Sequence, residues 1–218
     1  MKKIIAAVAF ALTFGFAAQA QSTIVSSRSV DISKEKSATQ WILRAGLNFA
    51  GCAGDDADDY DSKVAYDVAV SFQKPISDFG LFWGMELGLG TRGCKLEESG
   101  DWGDYEENLL AHNVRFSPFT IGYAYNFTDQ IKADVRLGGY ASFDYAGKFK
   151  VKEDGDEEDW DLGDLDGYNR FDAGINFGIG VWYDRFNLDF SLQRGFIDAI
   201  DDWEGKTSNF MIRLGYSF

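Results

Sequence analysis

From Gln40 to the end of the chain, apolar and polar side chains alternate with a period of two, and this pattern recurs in segment after segment. In Gln40–Phe49 the apolar partners are Trp41, Leu43, Ala45, Leu47 and Phe49, with Ile42 out of phase. Val64–Gln73 sets Val64, Tyr66, Val68, Val70 and Phe72 against Asp67, Ser71 and Gln73. Leu81–Arg92 alternates Leu81, Trp83, Met85, Leu87 and Leu89 with Gly84, Glu86, Gly88 and Gly90. In the fourth stretch Val114 and Phe116 share a phase that Phe119, Ile121, Tyr123 and Tyr125 reverse, with Pro118 at the slip. Proline is tolerated at a bulge, where one extra residue restores the facing. Ile131–Tyr145, Phe171–Tyr183, Phe186–Gln193 and Ser208–Phe218 repeat the alternation, which predicts eight strands. Beyond the N-terminus no segment approaches the ~18–20 continuous apolar residues of a membrane-spanning helix.

Alternation also suits a soluble sandwich or barrel, so the character of the two faces decides. The polar face carries Arg44, Asp67, Glu86, Arg92, Arg115, Asp134, Arg136, Asp172, Asp189 and Arg213, interspersed with glycine. Glycine weakens a strand, and a water-facing surface has no need of it. An inverted barrel does: apolar side chains face lipid, charged ones pair inside, and glycines leave them room. Closure removes the strand edges that lipid cannot satisfy. Three links are short, at Pro75–Asp78, Thr128-Asp129 and Asp184-Arg185. Four are long and acidic, at Gly51–Ser62, Leu96–Glu107, Glu153–Gly167 and Asp198–Gly205. They alternate strictly, so all the long loops emerge on one side. Trp41, Phe72, Trp83, Tyr123, Tyr125, Tyr183 and Phe218 form an expected aromatic girdle at the short-turn end. Tyr66, Tyr145 and Tyr168 are expected as part of a second. The fold class is therefore all-β: an eight-stranded antiparallel transmembrane β-barrel with short periplasmic turns and long acidic extracellular loops.

The N-terminus supplies the compartment. Lys2 and Lys3 precede an apolar run from Ile4 to Phe16, and Ala18-Gln19-Ala20 reads as a cleavage site, so residues 1–20 are expected to be a signal peptide. Residues 21–38 follow as a periplasmic segment and 39–218 as the barrel, placed in the outer membrane with its lipid as the first partner. The formal net charge of −14 repels phosphate backbones, so nucleic acid is excluded as a partner. One His and two Cys exclude most His/Cys metal enzymes and any disulfide-dense scaffold.

Leu47-Asn48-Phe49, the Pro-Ile-Ser-Asp turn at 75–78, the Gly-rich strand to Arg92-Gly93, the Pro118 strand and the terminal Leu214-Gly215-Tyr216-Ser217-Phe218 form an ordered set. That set resembles the PorT-like, porin-family "outer membrane protein beta-barrel domain" family across roughly residues 39–218. The resemblance implies the barrel and its membrane, but no single activity, because family members do not share one. Phe218 resembles the terminal aromatic recognised by the outer-membrane assembly machinery. A PorT-like protein would also be expected to assist secretion.

Chemistry is sparse. His112 shares phase with Val114 and Phe116, so it is expected to face outward near the outer rim, and no catalytic constellation can be drawn around it. Catalytic and cofactor-binding residues are accordingly expected to be absent, and the protein is read as non-enzymatic. Eight strands enclose little more than side-chain volume, and Phe82, Tyr140 and Trp182 point inward, so the charges fill the lumen; the alternative is a narrow pore. The four long loops hold 24 of the 35 acidic residues, with Asp101-Trp102, Asp159-Trp160 and Asp202-Trp203 recurring. The simplest account is a hydrated, like-charged, partly disordered rim; the functional account is capture of a cation or of an unidentified extracellular ligand, with the tryptophans as contact surface. The sharper account is a Ca²⁺ site drawing on Asp154, Asp156, Glu157, Glu158, Asp159 and Asp161, with Asp101 and Asp202 from neighbouring loops. The Asp164-Leu165-Asp166-Gly167 echo of an EF-hand fails, because Leu162 and Ala173 occupy ligand positions. Cys52 and Cys94 both fall at the outer rim and pass through an oxidising compartment, which makes them a disulfide candidate, the alternative being two free thiols. Their strands are second neighbours, farther apart than a disulfide usually spans, but flexible loop ends could close the gap.

Overall fold

The computed structural model describes residues 39–100, 103–153, 156–201 and 203–218. Among the described residues nine strands follow one another: β1 (Gln40–Ala53), β2 (Lys63–Pro75), β3 (Leu81–Gly100), β4 (Gly103–Asn126), β5 (Ile131–Glu153), β6 (Asp156–Asp161), β7 (Phe171–Tyr183), β8 (Phe186–Ile200) and β9 (Trp203–Ser217). Eight of them close a ring. β1 to β5 pair in sequence, β5 pairs β7, β7 pairs β8, β8 pairs β9 and β9 returns to β1, every pair antiparallel. β6 stands outside the ring, paired only to the far end of β5. No helix among the described residues is long and apolar enough to cross a membrane; the crossing elements are strands.

The two faces are inverted as expected. On β9, Leu214 is 71% exposed while its neighbour Arg213 is 3% exposed. Each of the ten charged positions assigned inward is turned inside, all of them buried except Glu86, which is nearly so. Ile42, out of phase in the sequence, is buried in the lumen, as are Phe82, Tyr140 and Trp182. The glycines opposite the arginines make room for them. A Cβ on Gly178 would lie 2.7 Å from Arg136 Nη2, and one on Gly88 would lie 2.9 Å from Arg115 Nη2.

Pro118 sits in a bulge. Gly84 pairs Thr120 but Glu86 pairs Ser117, so β4 carries one residue more than β3 there. Phe116 and Phe119 consequently both face outward. A second bulge falls at Tyr145, because Asn113 pairs Asp144 while His112 pairs Ala146. It resets the phase of β5, so that Lys148, Lys150 and Lys152 continue the outward face begun by Ala146.

Three of the four long links are corrected, and in one of them, Asp198–Gly205, β8 and β9 stay paired out to Ile200↔Trp203. Leu96–Glu107 is not a loop: β3 and β4 stay paired out to Gly100↔Gly103. Glu153–Gly167 likewise contains β6, which pairs Lys148–Glu153 of β5 in register. Water lies on the outer face of these hairpin ends, so no apolar alternation is required there, and in β5–β6 the ion pairs Lys148–Asp159 and Lys150–Glu157 cross the ladder. Tyr168 is the other correction. Its hydroxyl donates to Asp144 and its ring lies 5.4 Å from the Arg92 guanidinium, so it caps the lumen rather than joining a girdle. At the short-turn end the girdle is continuous in places: Trp41–Phe72–Trp83 and Phe186–Tyr216–Phe218 stack edge to face with centroids 5.2–5.4 Å apart.

Candidate functional site

The lumen is built from charge. Arg213 reaches Asp67 (2.8 Å), Glu86 (3.1 Å) and Asp189 (2.7 Å). Arg115 shares Asp67 (2.7 Å), Arg44 shares Glu86 (3.1 Å), and Arg136 pairs with Asp134 (2.7 Å) and Asp189. Four guanidiniums therefore meet four carboxylates drawn from seven strands, and the set is neutral. A charge removed from water is tolerable only when paired and hydrogen-bonded, and here each member is. The residual cavity beside Arg44, Glu86, Arg115 and Arg213 measures about 40 Å³, room for roughly three water molecules.

Above this layer the lumen is closed a second time. Arg92 pairs with Asp144 (2.6 Å) and donates to the Asn169 carbonyl, and the Tyr140 hydroxyl donates to Asp172 (2.7 Å). Over these lies an apolar cluster of Leu109, Ala111, Leu162 and Ala199, packed against Phe149, Leu165, Tyr168 and Trp203. β3 contributes by leaning across the mouth. Thr91, Arg92, Gly93 and Cys94 are four consecutive buried residues, and the Thr91 carbonyl accepts from Asn48 (2.7 Å) and Asn209 (3.2 Å) on β1 and β9. Gly93 turns the strand there at φ 142°, where a Cβ would lie 2.1 Å from the Leu109 carbonyl oxygen. The lean brings Cys94 to Cys52, whose Cα atoms are 5.5 Å apart and whose sulfurs are bonded.

The carboxylates named as cation ligands are dispersed. On β6, Asp156 and Glu158 share one face with Trp160, and Glu157, Asp159 and Asp161 share the other. The second set faces the lysines of β5, with Lys152↔Glu157, Lys150↔Asp159 and Lys148↔Asp161 in register. Lys148 and Lys150 form ion pairs with Asp159 and Glu157. Those hydrogen bonds hold Glu157 and Asp159 below the ordinary carboxylate values and raise Lys148. Asp154, Asp101, Trp102 and Asp202 lie outside the described residues. Among the described residues, no group of three or more His, Cys, Asp or Glu side chains is placed to hold a metal ion. Of the tryptophans, Trp160 stacks on Phe149 at 6.0 Å, and Trp203 packs into the apolar lid and against Tyr60 at 5.4 Å.

His112 lies on the outward face between Tyr66 and Tyr145, with ring centroids 5.8 and 6.4 Å away. Sequence reasoning missed the lysine row and the apolar lid. A signal for the row was available: Lys148-Phe149-Lys150-Val151-Lys152 and Glu157–Asp161 flank Asp154-Gly155, a hairpin-turn dipeptide between complementary charges. The lid had none, since its members come from four separate segments.

Several solved structures resemble the chain. The attachment invasion locus protein Ail of Yersinia pestis, in complex with the heparin analogue sucrose octasulfate, is 17% identical with a TM-score of 0.40, over 83% of this chain and 99% of that one. Neisserial surface protein A is 12% identical with a TM-score of 0.41, over 83% and 97%. The N-terminal β-barrel domain of Pseudomonas aeruginosa OprF is 12% identical with a TM-score of 0.36, over 83% and 97%. No curated protein matches the chain. The family described as "Outer membrane protein beta-barrel domain" matches residues 17–201, and a closed ring with lipid-facing apolar strands and a paired polar lumen is what that description requires: the chain belongs to this family of outer-membrane proteins.

Proposed function

We propose that the protein is a non-conducting, non-enzymatic barrel that displays an acidic sheet at the cell surface, with the short turns in the periplasm and the hairpins outside. The observation that carries this reading is the double closure of the lumen, by a neutral charge layer with about 40 Å³ to spare and by an apolar lid. A barrel closed this way gains nothing from solute passage, so its distinctive surface is what lies beyond the lid. There β3, β4, β5 and β6 continue as one antiparallel sheet past the rim. β6 ends that sheet as an exposed strand, Asp-Glu-Glu-Asp-Trp-Asp, with its outer edge unpaired among the described residues. An open strand edge is a template for an added strand. Its charge selects a basic, extended partner segment.

Two measurements test the reading together. Purified protein in planar bilayers should give no discrete conductance steps, and protease added to intact cells should cut in the β5–β6 hairpin. Steady single-channel currents would establish a pore instead. Cleavage only after cell lysis would invert the topology.

A further inference from the structure

Outside the lumen, one hollow of about 730 Å³ runs up the outward face from His112 to Lys152. Its floor is Leu110, Ala146 and Gly147, and its walls carry Lys63, Lys148, Lys150 and Lys152 against Glu106, Glu157 and Asp161. Cations outnumber carboxylates there, in a chain of net charge −14. We propose that this hollow binds the phosphate of an outer-leaflet lipid headgroup, with the four lysines as its ligands.

The height of the hollow is the first argument. Val114, Phe116 and Phe143, all exposed, form the lipid-facing band on β4 and β5. Tyr66, His112 and Tyr145 stack at its upper edge, the level at which aromatic side chains mark the membrane–water interface. Lys148 is three residues beyond Tyr145, roughly 10 Å along a strand, which is headgroup depth. The bulge at Tyr145 keeps Lys148, Lys150 and Lys152 on that same face.

The second argument is chemical. Lys63 Nζ is held by Asn108, a neutral partner. No carboxylate among the described residues is ion-paired with Lys63 or Lys152; Glu106 and Glu157 act on them from farther off, which leaves both ammoniums able to meet an anion. Lys148 and Lys150 are paired, but their partners are roughly half exposed. Exposed ion pairs of this kind contribute little, so a phosphate is able to share those lysines without a large cost. A lysine near a charged membrane surface contributes roughly fivefold in affinity for an anionic headgroup. The apolar floor suits the part of the lipid that joins headgroup to acyl chains.

This inference rests on the hairpins facing outward, and the experiment separates the two. Protein in detergent micelles doped with bisphosphorylated lipid A is compared by native mass spectrometry with Lys63→Gln/Lys150→Gln/Lys152→Gln, and with Lys206→Gln as a charge control elsewhere on the rim. Retention of one lipid A by the natural protein and by the control, falling roughly a hundredfold in affinity for the triple variant, is expected from three lysines at that increment. Both variants should keep the heat-dependent gel mobility of the folded barrel. Equal retention by the triple variant, or equal retention of dephosphorylated lipid A, overturns the site. Lysine-dependent binding of inorganic phosphate without lipid would make it a soluble-anion site and overturn the lipid assignment. None of these outcomes depends on topology, which the protease experiment on intact cells reads separately.

Discussion

Arg213 reaches carboxylates from three other strands at once, Asp67 on β2, Glu86 on β3 and Asp189 on β8. It therefore acts as a cross-brace through the lumen, and its removal should not resemble the loss of a surface charge. Breaking a buried pair from one side leaves the opposite charge uncompensated, at about 3–5 kcal/mol. Arg213→Met keeps most of the side-chain length and should lower barrel stability by that order in urea titrations from lipid vesicles. Arg213→Met combined with Asp189→Asn should recover part of the loss, because the three remaining guanidiniums again meet three carboxylates and the set is neutral. A double variant less stable than the single would show that Asp189 is satisfied without Arg213. The charge itself was readable from alternation, since Arg213 falls between Ile212 and Leu214. Its partners were not. Alternation places a side chain inside the barrel but leaves open which strand lies across the lumen, and that follows only from ring closure.

At the scale of strands, legibility tracked lipid. Wherever a strand borders the bilayer, one face must be apolar, so β1, β7 and β9 and the Pro118 bulge of β4 were visible in the residues. Past the rim that requirement lapses, and Leu96–Gly100, Gly103–Glu107 and Asp156–Asp161 lie in links that read as loops although they pair in register. The Cys52–Cys94 link was legible as a candidate from the place of both cysteines at the outer rim, but what closes the gap between second-neighbour strands is the inward lean of β3 from Thr91 rather than flexible loop ends. The bridge spans 42 residues. A loop of that length lowers the entropy of the unfolded chain by about 4 kcal/mol in the chain-entropy account. Reduction, or Cys94→Ser, should lower the urea midpoint while the β1–β9 ladder stays folded. Maleimide labelling of both thiols before reduction would contradict the bond. The β5–β6 hairpin should depend on pH in a different way. Lys150 and Lys148 depress the pKa of Glu157 and Asp159, so their support is present above the ordinary carboxylate range and lost as pH falls through the lowered values. Lys148 is raised, so its share is present at neutral pH and lost as pH climbs through the raised amine value. Amide exchange in β6 should therefore be slowest, relative to its intrinsic rate, across the neutral range and should rise modestly, by no more than a few-fold, below about pH 4, since exposed pairs contribute little, with β7 unchanged. Protection in β6 identical at pH 7 and pH 2 would mean that the ion pairs contribute nothing to it.

For the whole molecule, closure depends on its last residues. β9 seals the ring by pairing β1 from Ile42↔Ser217 to Ala53↔Lys206 and β8 from Phe186↔Tyr216 onward. The Phe218 amide donates to the Trp41 carbonyl (2.9 Å), and its ring stacks on Tyr216. Two roles for this terminus can be told apart. If Gly215–Phe218 are deleted, both neighbours of β9 lose ladder bonds at the short-turn end and present open edges, which the bilayer interior does not tolerate. That deletion should abolish the compact, SDS-resistant form that the full chain shows as a different gel mobility before and after boiling. Phe218→Ala keeps the backbone bond to Trp41 and removes only the ring. It should refold in detergent with the mobility shift intact, yet accumulate several-fold less in the outer membrane of cells if the terminal aromatic is what the assembly machinery reads. Equal accumulation in cells would remove the recognition role and leave Phe218 as a girdle residue. Loss of the shift in detergent would make its ring a structural requirement in its own right.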